Sequence, residues 1–422
     1  MVDYQVSLPG LARDFSNLTK EEREFIEYFT TIDSDSISPV VDCYTGIGPQ
    51  GYGISLILAR IVKVKERILS DRQLAKVLRQ NDLYRFVTYD AQPSHNTFNT
   101  LRKRLGVKGF VEIHKRFVSK AHRLGLLDPK INDLPKNRKK GIILVADSTF
   151  LITAGSTRGQ RDKHGQWQFN DESVAFSGKG HHSHKYPVGH KVHSLRTISG
   201  VPLATLLTPA NESDQAVILL LIEEIVSRYP SLQFAYIVLD RGYDAEDIHH
   251  DIYEFFGIIP IIIRKKIVHP KGFTEDGYPF CPWGFTMKPR GIEYKQRRTK
   301  YACFKVCKKS GQPLLLFSCD YIKEQYKYGY SQYTYFSNGY RKYGPAVSHS
   351  LIYKKLKPFR TGIERTFGLV KENRYRMEIS NFYKGIDNVT IHAIEHDIVL
   401  TQDIIFDYIK TGKISPVLNL NY

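Results

Sequence analysis

The chain has 422 residues, enough for two or three domains, and 42% of them are apolar, enough to fill sizeable cores. Its 61 Lys and Arg against 43 Asp and Glu leave a formal net charge of +18, which points to a polyanionic partner, nucleic acid ahead of anionic membrane. Apolar runs such as "AVILLLIEEIV" are too short and too acidic to span a bilayer, "MVDYQVSLPG" lacks the features of a secretion signal, and five cysteines argue against a disulfide framework, so a reducing cytoplasm is the expected location.

Residues 1–127 read as helical. Thr19 heads "KEEREFIEYF" with acids in the first turn; "GYGISLILARIVKVKERIL" follows; Ser70 heads "DRQLAKVLRQNDLYRFV"; Ser94 heads "HNTFNTLRKRLG", which ends at Gly106; "VKGFVEIHKRFVSKAHRLGLL" closes the region. Short helices joined by a small polar turn, the second rich in Arg and Lys, outline a helix-turn-helix with Arg102, Lys103 and Arg104 as its DNA contacts. A plain helical bundle with a solvated basic face fits the same pattern. The polar, proline-bearing segment 128–140 reads as a basic linker.

The pattern then changes. "GIILVAD" is a strand, followed by a long polar stretch; "HKVHSLRTI" and "VPLATLLTP" form a hairpin across Ser199 and Gly200. A helix over about 214–228, the strand "AYIVLD", a helix from Asp244 to about Phe256 and the strand "IIPIIIR" complete a mixed α/β sheet with mostly covered faces. Residues 266–350, rich in Tyr, Lys and Gly, read as a β-rich insertion, 351–410 as helical again, and 411–422 as a C-terminal tail.

Two apolar strands end on an aspartate, Asp147 and Asp240. A carboxylate at the C-terminal end of a strand stands where open α/β sheets place their ligands. Side by side, the two would repel unless a proton or a hard divalent cation lay between them. The alternative is that each aspartate caps its own turn. A third ligand is offered by "FRTGIERTFGLVKENRYR", where Phe359, Ile363, Phe367 and Val370 form an apolar stripe and Arg360, Glu364 and Lys371 line its flank. Taken alone, Arg360 and Glu364 would be an ordinary i,i+4 ion pair.

Together "ADSTF", "LDRGYDAEDI" and "RTGIERTFGLVK" resemble the motifs of prokaryotic insertion-sequence transposases of the DDE class, whose catalytic domain is ribonuclease H-like. Arg360, Glu364 and Lys371 keep the spacing of a Tyr-x2-Arg-x3-Glu-x6-Lys third motif, with Lys357 in place of its tyrosine. "GHKVH", "TPANESD" and the N-terminal helices add to the likeness. The resemblance implies a ribonuclease H-like core from 141–265 and 351–410, a DNA-end-binding region at 1–127, and Asp147, Asp240 and Glu364 as ligands of two Mg2+ or Mn2+ ions. It further implies cleavage of element ends, strand transfer of the 3′-hydroxyl with a hairpin as one route, and terminal inverted repeats and target DNA as partners of a homodimer assembled on DNA. Arg360, Lys371, Lys191 and Arg241 are the expected phosphate contacts. A ribonuclease H-like nuclease without transposition and a non-catalytic, transposase-derived DNA-binding protein are the alternative functions.

Three further features have two explanations each. Histidines 181, 182, 184, 190 and 193 form a DNA-facing loop or, with less support from spacing, a metal site. Cys281, Cys303, Cys307 and Cys319 are a zinc set without paired CxxC spacing, or small buried side chains. The tyrosine- and lysine-rich run 321–344 is a base-stacking surface or a solvated hairpin.

Overall fold

The computed structural model describes residues 18–42, 52–128, 134, 138–153, 159–165, 167–177, 187–282, 284–303 and 330–414. The chain folds into two compact units that do not follow sequence order. One comprises Met1–Pro129, Ser148–Ser213 and Gly362–Tyr422; the other comprises Lys130–Asp147 and Asp214–Thr361. Thus the helices expected at the N-terminus share their unit with the C-terminal helix.

The first unit contains helices α1 (Lys20–Thr30), α2 (Ser34–Asp42), α3 (Ile54–Lys65), α4 (Asp71–Gln80), α5 (Asp82–Val87) and α6 (His95–Arg123), several of which begin at a side-chain cap. Thr19 and Glu22 form a capping box, Ser70 accepts from the Gln73 N–H, and Ser94 from that of Thr97. Gly106, at φ 58° and ψ −172°, breaks the helical path of α6, and helix resumes at once to Arg123.

Strands β2 (Gly159–Arg161) and β3 (Trp167–Phe169) make a small hairpin. Strands β4 (Ala175–Phe176), β5 (Val188–Thr197) and β6 (Pro202–Pro209) are antiparallel. The expected β5–β6 hairpin turns through Gly200 at φ 90°. A Cβ on Gly189 would lie 2.1 Å from the Leu151 carbonyl oxygen, so only glycine lets β5 approach the end of β1 (Ile142–Ile152).

The C-terminal helix, Ile386–Thr411, is buried from Val389 to Phe406 and carries three acids inward. Each has cationic partners, as buried charges require. Glu395 accepts from Nε and Nη2 of Arg60 (2.7 and 2.6 Å) and from Nη2 of Arg102 (3.3 Å). Asp397 meets Arg196 at 3.4 Å and accepts from Thr205 at 2.5 Å. Asp403 binds Tyr375, Arg374 and Lys65.

In the second unit the first half of β1 pairs in parallel with β7 (Phe234–Leu239), and β7 with β8 (Ile259–Ile262). Helices α7 (Asp214–Arg228) and α8 (Glu246–Phe256) provide the connections, and Gly257 ends α8 in the left-handed conformation at φ 65°. The sheet strands are therefore parallel here and antiparallel in the other unit: a mixed α/β fold. The insertion contributes an antiparallel sheet in the order β11 (Ser331–Tyr335), β10 (Arg298–Ala302), β9 (Lys288–Glu293). Short helices α9 (Tyr340–Tyr343) and α10 (Leu351–Leu356) follow, then α11 (Arg360–Gly368), inside which the division between units falls; α12 is the C-terminal helix.

Cys281 and Cys303 are buried with Met287 and Tyr301 in the core of the insertion, where thiols serve as small apolar side chains. Cys307 and Cys319 lie outside the described residues, as do histidines 181, 182 and 184 and residues 321–329. The zinc set finds no support in this apolar packing. Among the described residues, no helix is long and apolar enough to cross a membrane.

Candidate active site

The site is built on the register of β1 against β7. Ile143 pairs with Tyr236, Leu144 with Ile237 and Val145 with Val238. Two residues past the last of these pairs, Asp147 lies within β1, which runs on to Ile152, and Asp240 is the first residue after β7. Residues two apart on a strand share a face, and in-register neighbours point to the same side of a sheet. The run from Ile142 to Ala146 is buried and Asp147 is half-buried, so exposure begins where the carboxylate emerges.

Asp240 has two attachments. Its Oδ1 accepts the N–H of Gly242 at 2.5 Å, capping the short turn Arg241–Tyr243. Its Oδ2 lies 3.5 Å from a guanidinium nitrogen of Arg360. The capping role anticipated for such an aspartate is therefore real and coexists with a charged contact. Gly242 was not singled out from the sequence, yet a Cβ there would come within 2.8 Å of Asp240 Oδ1. The turn is thus closed over the carboxylate as tightly as glycine allows.

Beneath this turn Tyr243 is 2% exposed. Burial first, then the negative charges of Asp214, Asp147 and Asp240, push its phenol well above the ordinary range. A single buried ring thus senses three carboxylates, the third being Asp214 at the start of α7, within the quoted "TPANESD" stretch. One residue on, Asp244 is fully buried; it accepts from the Lys265 N–H (2.6 Å), Arg341 (2.9 Å) and His249 (3.0 Å), which hold its carboxyl well below the usual range despite burial. Its motif position was visible in the sequence, but its partners, scattered along the chain, were not.

The other expected residues divide. Glu364 is exposed on α11, one turn after Arg360. Arg241 is exposed beside Asp240. Lys191 is half-buried and donates to the Glu212 carbonyl at 2.6 Å. Lys371 is 4% exposed and paired with Glu378 at 3.4 Å, contrary to a surface phosphate contact. The helix is π-type over Leu369–Asn373; a π turn takes more residues per revolution, so Lys371 leaves the α-helical flank of Arg360 and Glu364. Arg102 also corrects the expectation: it is 2% exposed, bound to Glu395, and stacked 3.4 Å from the Tyr383 ring centroid, which removes it from DNA contact. Lys103 and Arg104, next to it, are exposed. His190 and His193 are buried in β5 against Ser173 and Thr208 and do not belong to a DNA-facing loop.

Among the described residues no three His, Cys, Asp or Glu side chains gather closely enough to hold a cation by themselves. Asp147 and Asp240 are of the donor type that suits a hard divalent ion, since magnesium uses one or two carboxylates and completes its shell with water and substrate phosphate.

This geometry, Asp147 and Asp240 followed by a helix bearing Arg and Glu, accompanies a direct sequence match: the chain belongs to the transposase DDE domain family, whose model matches residues 138–394. Members of that family generally use divalent metals. The chain is 34% identical over 92 residues to a putative transposase for insertion sequence element IS402 from Burkholderia cepacia; the match covers 21% of this chain and 43% of that protein, less than half of its length. The cryo-EM structure of a piggyBac transposase synaptic complex with hairpin DNA aligns over 94% of this chain and 77% of that one at 10% identity, with a TM-score of 0.33.

Proposed function

We propose that the chain is a DNA transposase that cleaves the ends of a mobile element and joins the freed 3′-hydroxyls to target DNA. Asp147, Asp240 and Glu364 are its acids, and residues 141–265 with 351–410 its ribonuclease H-like core. The observation that supports this reading is that Asp147 and Asp240 each follow by two residues the paired Val145 and Val238 of neighbouring parallel strands, in a chain of net charge +18. Repulsion between two such carboxylates is relieved by cations, and the charge excess by DNA.

Two Mg2+ or Mn2+ ions held by the three acids would supply an activated water or 3′-hydroxyl and a counter-charge for the departing oxygen. The residues of the chain position the substrate. Arg360, seated against Asp240, shares its charge with the scissile phosphate when DNA enters, and its planar fork suits two phosphate oxygens. Exposed Arg241 and, further out, Lys191 take neighbouring phosphates. Lys371 joins them only if its pair with Glu378 opens. Lys103 and Arg104 on the N-terminal helices contact the terminal inverted repeat, and two copies assemble on paired ends.

The test is incubation of the chain with an oligonucleotide duplex carrying an element end and a supercoiled target. Magnesium-dependent nicking at the end, followed by a joined product, is expected; nicking without joining would reduce the function to that of a nuclease. Neither activity in the wild-type chain would remove the proposal.

A further inference from the structure

The lysine of the third motif is held by an acid that no motif predicted. Past the π turn the chain folds back on itself. The Arg374 N–H donates to the Leu369 carbonyl, that of Met377 to Val370 and that of Glu378 to Lys371, at 2.8, 3.2 and 3.3 Å. This return brings the Glu378 carboxylate to two partners. One oxygen lies 3.4 Å from Lys371 Nζ; the other accepts the N–H of Ile152, the last residue of β1, at 3.3 Å. Asn381, just beyond, donates to the carbonyl of the same Ile152 at 3.2 Å. Glu378 is thus seated by backbone groups as well as by Lys371.

The ion pair itself is loose. Strong charge-assisted N–H···O contacts measure about 2.7–2.9 Å. The buried Arg60–Glu395 pair is that close, at 2.7 and 2.6 Å, whereas Lys371–Glu378 at 3.4 Å is not. Lys371 is 4% exposed and Glu378 16%. A lysine this buried requires an anion, and a carboxylate or a phosphate oxygen meets that need. The acid's side of the pair is the open one, and its neighbours Arg376 and Ile379 are exposed. Arg376 stands at φ 51°, a left-handed conformation that costs any residue but glycine and that collects at functional sites. It offers a DNA backbone a cation two residues from the pair.

We propose that Glu378 is a positioning residue for DNA binding: in the DNA-free chain it stands in for a backbone phosphate and keeps Lys371 inward, and it releases Lys371 when a phosphate arrives. The proposal rests on the DNA-processing function given above and deepens it, because it states how a motif lysine that is buried in the free chain becomes a phosphate contact. Glu378 thereby weakens DNA binding, since a contact that must first be opened counts only for the fraction of time it is open.

The experiment is an anisotropy titration of the full chain with a labelled blunt duplex of mixed sequence, at one fixed ionic strength and without divalent metal. Glu378→Gln keeps an oxygen for the Ile152 N–H and removes the charge. It is expected to tighten binding about tenfold, as for a contact competent a tenth of the time that becomes always competent. The gain should require Lys371: in a Lys371→Met background the same change should leave affinity as it was. Glu378→Asp, which keeps the charge on a shorter arm, should tighten binding less. A carboxylate with only a structural role would instead lower melting temperature and affinity together. Equal tightening with and without Lys371, no tightening, or loss of folding in both Glu378 variants would overturn the proposal. Cleavage plays no part in this assay: a chain that shows the dependence on Lys371 but never nicks an element end keeps the role of Glu378 and loses the transposase function, and one that nicks and joins without that dependence does the reverse.

Discussion

Arg360 reaches from the first turn of α11 to within 3.5 Å of Asp240, so a motif cation and a motif acid from distant parts of the sequence are already in contact. Such a pair does two things. It offsets the Asp240 charge, and, on the proposed function, it offers a five-donor group to a substrate phosphate. Arg360→Ala should therefore lower the rate of end cleavage by on the order of a hundredfold while affinity for divalent cations holds or rises, because a competing charge is gone. Arg360→Lys should recover only part of the rate. Single-turnover cleavage and metal titration on the same variants check both statements.

The Gly242 turn is equally specific. A methyl group there would press on Asp240 Oδ1 from 2.8 Å. Gly242→Ala should displace that carboxylate and reduce cleavage by roughly 10–100-fold, the usual effect of disturbing the support of a metal ligand, with little change in melting temperature.

The N-terminal basic run separates stability from binding. Arg102 is locked to Glu395 alongside Arg60, and removing one member of a buried ionic group typically costs about 3–5 kcal/mol. Glu395→Gln or Arg102→Ala should therefore lower the melting temperature markedly. Lys103→Ala and Arg104→Ala should leave it unchanged and instead flatten the salt dependence of DNA affinity, by about one unit in slope for each lost phosphate contact. Thermal melts and binding at several salt concentrations distinguish the two classes.

Stability should also fall in mild acid. Burial lowers the pKa of His249, His349 and His396 from 6.5 to about 4. The unfolded chain thus takes up protons first as pH drops. The folded state keeps its full stability above the unfolded value of 6.5 and loses it progressively as pH falls toward 4. His249→Gln, which keeps a donor for Asp244, should make that pH slope shallower; denaturant melts at pH 7 and pH 5 measure it.

Much of the architecture could be read from local pattern because it is written locally. Thr19, Ser70 and Ser94 cap helices through their own neighbours, and the hairpin at Gly200 follows from small residues between alternating strands. The end of β7 just before Asp240 was legible for the same reason, whereas β1 runs past Asp147 to Ile152 instead of ending there. What pattern could not show is which side of an amphipathic segment turns inward. Within "LRKRL", Arg102 faces the core while the basic Lys103 and Arg104 face solvent, a choice made by Glu395, far away in sequence. The C-terminal helix hides three acids that composition would place in water. Lys371 left its expected flank because a π turn, which carries no sequence signature, interrupts α spacing.

The central claim is that Asp147 and Asp240 hold a cation jointly, and Mn2+ binding to the intact chain tests it most directly. By electron paramagnetic resonance titration, Asp147→Asn and Asp240→Asn should each abolish the tightest Mn2+ site, and the double variant should lose nothing further. Unchanged Mn2+ affinity in either single variant, or two independent losses that add in the double variant, would contradict a shared site.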